Sequence, residues 1–488
     1  MKIYNYIVFS ALLVLSLEAC TKFEVINENP DVATSINNNP ELLLTNAQRN
    51  SINRVVGDAW SEGNLMAQYG ARIVFTEFDL FNWGTQSGTW ESHYLTIRDL
   101  EALRQIAENT GNDSYEAVAL IMQSWLFQIL TDMWGDIPFS EAAKANAEDP
   151  IFQPRYDKQQ DIYQALLTDL EKANSLLAGS GLPKIKGDIL FAGDLVRWRK
   201  FANSLRLRVA LRLSEADPST AQSVIAQIAA NPAEYPVMES NDDNAVLTFL
   251  TANPNAHPVT EESVYRVGSY NEYRISETMV GILREFDDPR LQFFADPTAT
   301  SVIEGNPVIE GMQNGIVDGP AYTYKGGDPF LSKFNINYFY FQPNANQGRL
   351  MTFSEVMFIL AEAAQRGWID EDAALLYNNG ITANFTYWNV DLPSDYLQRP
   401  SVVYDNSLEK IMKQKYLALF YTDYQGFIEF KRTGYPSQIA PGPDALYSEY
   451  PSRFLYQTKE IALNRGNYDE AVSRQGPDVL LTKVWWEK

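Results

Sequence analysis

The 488-residue chain contains a single cysteine, Cys20. It therefore forms no internal disulfide, and neither a cysteine-built zinc site nor thiol catalysis can be assembled from the rest of the chain. Histidine is nearly as scarce, with only His93 and His257. A serine triad would have to use one of them, and each reads instead as a surface or packed histidine. Basic residues are outnumbered, 39 Lys and Arg against 62 Asp and Glu, for a net charge of −23. A surface of that sign repels phosphate backbones, so nucleic acid is not expected as a partner. It also gives no electrostatic hold on anionic lipid. No segment approaches the roughly 20 consecutive apolar residues that a spanning helix needs. The G-x-G-x-x-G, Walker A, H-E-x-x-H and G-x-S-x-G patterns are all missing. Acidic residues are plentiful, but no spacing marks two of them as a glycosidase pair. Asn241-Asp242-Asp243-Asn244 lacks the spacing of an EF-hand loop and reads as a solvated turn. No catalytic residue, cofactor or metal ligand is assigned.

What the chain does have begins at its start. Met1-Lys2 precedes an apolar run from Ile7 to Leu17, and Ala19 precedes Cys20. A positive start, about eleven apolar residues and a small residue before the cut make a secretory signal. A cysteine directly after the cut is what bacterial lipoprotein processing uses. Residues 1–19 are therefore expected to be removed and Cys20 to carry lipid. Residues 20–39, rich in asparagine, are read as a tether.

Aromatic residues are the second abundance: 27 Tyr, 25 Phe and 10 Trp, 13% of the chain. Tyr and Trp carry polar groups that need partners or water, so this many exceeds what a core alone explains. The body reads as helical. Tyr115–Trp134 places Ala119, Met122, Leu126, Ile129 and Met133 on one face and stops at Gly135. Tyr156–Leu177 and Leu195–Leu213 show the same three- and four-residue steps. Further helices are expected at 40–52, 220–230, 276–286, 352–365, 370–378 and 406–424. Between Pro232 and Gly348 the period weakens and aromatics, glycine, proline and asparagine crowd in. Long excursions of this kind are usually functional. Glu355 and Glu362 lie seven apart on one helix and read as inter-helix ion pairs. Lys431, Arg432 and Gly434 read as a helix-end turn.

Five segments, in order, resemble the SusD/RagB family of outer-membrane nutrient-binding lipoproteins of Bacteroidetes. They are LFQILTDMWGDIPFSEA (126–142), the Tyr156–Ala173 helix, WRKFANSLRLRVALRLS (198–214), LMTFSEVMFILAEAAQRGW (350–368) and QGFIEFKRTGYP (425–436). The resemblance implies a mainly α fold: tetratricopeptide-like helix pairs in a right-handed superhelical scaffold, with long irregular loops and few short strands. Residues 40–488 would then form one domain, its scaffold at about 40–231 and 350–435 and its ligand-facing excursion at about 232–349.

The resemblance also implies a function. The protein is expected to be lipid-anchored in the outer membrane and exposed at the cell surface. There it would bind a nutrient, most simply an oligosaccharide, and pass it to a SusC-like TonB-dependent transporter. The alternative is a peptide ligand, or a protein-interaction scaffold within the same uptake complex. By analogy, ligand binds where the loop after an early helix meets the central excursion. Phe81 and Trp83 in the first loop and Tyr322 and Tyr324 in the second are the expected contacts. Trp90 and Tyr94, four apart, are expected in the core.

Overall fold

The computed structural model describes residues 39–487 apart from 147–148, 251, 253–254, 259–268 and 342–345. The signal segment, nearly all of the tether and the lipidation expected at Cys20 lie outside the described residues. Helices begin where side chains satisfy their free N–H groups. Asn39 accepts from Leu42 N at the head of α1 (Pro40–Asp58), which has proline in its first turn. Asn112 accepts from Tyr115 N to open α3 (Asp113–Trp134), directly after α2 (Ser87–Thr110). Asp194 accepts from Val196 N and Arg197 N at the start of α5 (Leu195–Arg212). Gly111 and Gly135, both at positive φ, close α2 and α3, the backbone conformation glycine adopts without penalty.

These helices pack in sequence order: α1 on α2, α2 on α3, α3 on α4 (Gln159–Leu177), α4 on α5 and α5 on α6 (Pro218–Ala230). The second block is α7 (Phe353–Gln365), packed against α5, against α8 (Ala373–Trp388) and against α9 (Leu408–Ala418), followed by α10 (Gln425–Thr433). One hydrophobic core runs from Leu44 to Trp486 through all of them. The chain is mainly helical, in stacked pairs, as expected. Where the sequence suggested a single helix over 406–424, the chain breaks after α9 and restarts at α10, with Tyr421 and Asp423 at positive φ between them. α8 runs to Trp388, ten residues beyond the expected end.

α3 and the stretch of α5 from Phe201 to Arg212 are buried on nearly all sides, so Arg206, Arg208 and Arg212 cannot face water. Arg208 meets Glu355 of α7 at 2.6 Å, and Arg212 meets Glu429 of α10 at 2.7 Å and Asp132 of α3 at 3.6 Å. Glu362 takes two bonds from Arg432, at 2.7 and 2.6 Å. A buried charge is tolerated only when it is paired and hydrogen-bonded, and here the pairs stitch the two helical blocks together. Gly434 ends α10 at positive φ, so Arg432 belongs to a helix end and an ion-pair network.

Strands are few and short. β1 (Gly70–Arg72) pairs antiparallel with β5 (Tyr273–Ile275), β2 (Ile137–Pro138) with β3 (Tyr156–Asp157), and β4 (Ala245–Thr248) with β6 (Gln347–Met351). The β1–β5 pair positions the loops of the candidate site. It welds the loop after α1 to the start of the 269–341 excursion, placing Gly70 opposite Ile275.

Candidate functional site

Beyond β1 the chain forms a loop, residues 73–86, before α2. Three of its contacts fix its shape. The buried Asp79 carboxylate accepts from Arg72 N at 2.7 Å and from Asn314 Nδ2 at 2.9 Å. Asn314 Nδ2 also donates to Gly70 O at 2.7 Å. Thr76 N donates to Asp318 Oδ1 at 2.8 Å. A third segment, 440–447, closes the arrangement. Asp444 N donates to Gly315 O at 2.9 Å, its carboxylate accepts from Val317 N at 3.0 Å, and Leu446 N donates to Leu80 O at 3.1 Å. Gly315 and Gly442 approach so closely that a Cβ on Gly315 would stand 2.7 Å from Gly442 Cα. Only glycine fits that crossing.

A small apolar cluster of Ala71, Ile73, Met312, Ile316, Ala321 and Leu331 lies beneath these loops, separate from the main core. On its outer side large apolar side chains face water. Phe75 and Tyr322 are each 56% exposed, and Phe330, Val317 and Leu446 are also exposed. Exposed rings on a tied loop cluster make this face a candidate binding site. Phe75 sits at positive φ, 55°. A bulky residue held there is strained, and such strain is found where surrounding structure dictates it.

Electrostatics divide the site. Burial pushes the Asp79 carboxyl up to about 6, against the bonds from Arg72 N and Asn314 and the charge of Arg72. On the other side Lys325 bridges Glu277 at 2.8 Å and Glu310 at 3.1 Å. Partial burial disfavours its charge, but those two carboxylates hold its pKa above the ordinary lysine value. Tyr324 OH donates to Glu277 Oε1 at 2.9 Å, and burial raises the phenol pKa.

The expected contacts divide accordingly. Tyr322 is on the surface as anticipated. Tyr324 is half-buried beside it with its hydroxyl already engaged. Phe81 and Trp83 require correction: they are 3% and 2% exposed and belong to the main core. Trp83 packs on Phe427, Phe454 and Phe78 at 5.4–5.9 Å and donates its Nε1 to Phe78 O at 3.1 Å. Phe81 meets Tyr450 at 4.7 Å. The reason is a turn: Phe81 itself is at positive φ, 69°, which drives this end of the loop inward. Phe75, Phe330, Val317 and Leu446 were not anticipated. In Val74-Phe75-Thr76-Glu77-Phe78-Asp79-Leu80-Phe81, every third residue from 75 is Phe, and no local pattern says which one points out. Trp90 is buried and Tyr94 half-buried against it at 4.9 Å, in agreement with a packing role.

The two histidines lie inside the protein, and burial lowers each to about 3, with Arg54 and Arg349 nearby adding to the effect. Among the described residues no group of three His, Cys, Asp or Glu side chains could hold a metal ion, and no helix is long and apolar enough to cross a membrane.

A helical scaffold thus presents a tied, ring-bearing loop surface. The chain belongs to the SusD-like family described as starch-binding associating with outer membrane, whose pattern matches residues 31–457. Solved structures agree. A chitin-binding protein is 26% identical, with TM-score 0.77, over 92% of this chain and 99% of its own. A SusD homologue from Bacteroides fragilis is 29% identical, with TM-score 0.76 and the same coverage. A chitin-binding SusD homologue from Flavobacterium johnsoniae shares the fold at 22% identity, with TM-score 0.77 over 91% of this chain and 98% of its own. No curated protein sequence matches the chain. Family membership places the protein at the outer membrane, among nutrient-binding proteins of Bacteroidetes.

Proposed function

We propose that this protein captures an oligosaccharide on the surface formed by Phe75, Tyr322 and Phe330 and hands it to a SusC-like TonB-dependent transporter. The observation that carries the reading is the exposure of these rings on loops tied to one another through Asp79, Asn314 and Asp444. Pyranose rings present apolar C–H faces that stack on aromatic rings, and an aromatic pair contributes roughly 0.5–1.5 kcal/mol beyond area burial. A loop cluster held in advance spends little of that on ordering. Similar proteins described as chitin-binding suggest β-linked N-acetylglucosamine oligomers as the first class to test, with starch fragments second.

The protein acts without catalysis, as one domain over 40–488, anchored by lipid on Cys20. The membrane and the transporter are its partners, and no cofactor is needed. Val317 and Leu446 give the same surface aliphatic character, which favours a peptide as the second reading. Titration calorimetry on Ser35–Lys488 with chitin oligomers, maltooligosaccharides and mixed peptides tests the choice. Saturable heat with one glycan class is expected. Heat with peptides alone would replace the glycan reading.

A further inference from the structure

The rings of the loop surface stand among carboxylates, and the partners of those carboxylates bear on which glycan the surface suits. Some are already matched. Asp328, two residues before Phe330, pairs with the buried Arg274. Glu277 and Glu310 share Lys325. Two others are not matched. Asp318 and Asp444 are both exposed, and each spends one oxygen on a backbone donor, Thr76 N at 2.8 Å and Val317 N at 3.0 Å. Among the described residues neither has a lysine or arginine partner.

Their positions put them at the rings. Asp318 opens the short helix Asp318–Thr323. Tyr322 is four residues on, the spacing that sets two side chains on one helix face. On its other side the Asp318 carboxylate holds the N–H of Thr76, the residue after Phe75. Asp318 therefore stands between the Phe75 and Tyr322 positions. Asp444 accepts from the residue before Asp318, which brings a second uncompensated charge to the same end of the surface. Arg72 also reaches this loop, donating Nη1 to Phe75 O at 3.1 Å. Its Nη2 donates to Tyr273 OH at 2.6 Å and lies 3.6 Å from Glu272, so its charge is matched. Two negative charges held side by side repel, and a cation placed at them relieves that repulsion. The same cation over an exposed ring gains cation–π attraction. A protonated 2-amino sugar supplies that cation on the very ring whose C–H face stacks.

We infer that this surface selects cationic, amino-bearing glycans, of the glucosamine-oligomer type, over their N-acetylated and acidic counterparts, with Asp318 and Asp444 setting the preference. The inference rests on the glycan reading above and sharpens it: the rings hold the sugar, and the two carboxylates read its charge.

The test is calorimetry of the full chain without its leader against glucosamine oligomers and N-acetylglucosamine oligomers of equal length, at a pH of about 5.5, where the sugar amine is protonated. An exposed ion pair and an exposed cation–π contact each give a gain of about 2- to 5-fold. The amine oligomer should therefore bind about 5- to 20-fold more tightly. That preference should shrink as salt rises from about 0.05 M to about 0.5 M, because screening shortens the reach of exposed charges. Asp318→Asn keeps an acceptor for Thr76 N and removes only the charge. It should weaken the amine oligomer about 2- to 5-fold and leave the N-acetylated oligomer within about twofold. Asp318→Asn combined with Asp444→Asn should abolish the preference at an unchanged thermal midpoint. Equal affinity of the parent for the two oligomers, or a preference that survives in the double variant, would overturn the inference and leave the glycan reading standing. If neither oligomer binds, or if Phe75→Ala with Tyr322→Ala binds both as the parent does, the glycan reading fails and this inference fails with it.

Discussion

Replacing Asp79 by alanine should destabilise the protein by an amount that depends on pH in a direction fixed by the structure. Two buried donors, Arg72 N and Asn314 Nδ2, lose their acceptor. A buried donor left unsatisfied costs roughly 1–3 kcal/mol, so the pair costs about 2–6 kcal/mol. Against this stands relief. Burial moves the carboxyl from 3.8 to about 6, and at about 1.4 kcal/mol per pH unit the ionised side chain costs the folded state about 3 kcal/mol above pH 6. The folded state holds its proton longer than the unfolded chain. The stability that Asp79 contributes is therefore fully present below about pH 4 and falls as pH rises toward 6. The variant has no such term. Its deficit relative to the parent should thus be smaller at pH 8 than at pH 5, by about 1–2 kcal/mol. Urea unfolding of parent and variant, followed by tryptophan fluorescence at both pH values, measures the difference. A deficit equal at the two values, or larger at pH 8, would refute the argument. Because Asp79 ties the loops bearing Phe75 and Tyr322, the variant should also bind glycan more weakly than its stability loss alone explains.

Further consequences can be checked separately. Arg432→Met leaves Glu362 and Glu429 buried without their shared partner. Breaking such a pair costs about 3–5 kcal/mol, so the thermal midpoint should fall by several degrees, and an unchanged midpoint would contradict the network's role. Trp83→Ala should cost about 3–5 kcal/mol as a core truncation. A variant of unchanged stability but weaker glycan binding would restore Trp83 to the surface. Cys20→Ala protein should leave the membrane fraction, and its retention in the outer membrane of a strain lacking the transporter would sink the anchoring proposal.

Much of the scaffold could be read from sequence because helical period, caps and stops are local. Asn112, Asp194, Gly111 and Gly135 sit where helix ends require them. The arginines of 198–214 and the pair Glu355 and Glu362 announced ion pairs, though not that these would be buried at the centre. The break between α9 and α10 was not legible. Tyr421-Thr422-Asp423 contains neither glycine nor proline, and its positive φ values are imposed by packing around Gly63, where a Cβ would collide with Asp423 O. The site was half legible. Tyr322 lies in a polar, glycine-bearing stretch that keeps it outside. The 73–83 loop repeats Phe at every third position from 75 to 81, a pattern that does not say which ring points outward, so the choice between Phe75 and Phe81 is made by the Asp79–Asn314 tie and the turn at Phe81. Those contacts join residues over 230 positions apart, beyond the reach of any local pattern.

The central claim is that exposed rings on the tied loops capture a glycan. Calorimetry of parent, Phe75→Ala, Tyr322→Ala and the double variant against chitin oligomers, then maltooligosaccharides, tests it most directly. The account predicts saturable binding by the parent, a loss of about 2- to 10-fold for each single variant, and a near-complete loss for the double, with thermal midpoints unchanged. Glycan binding by the double variant at the parent's affinity would contradict it.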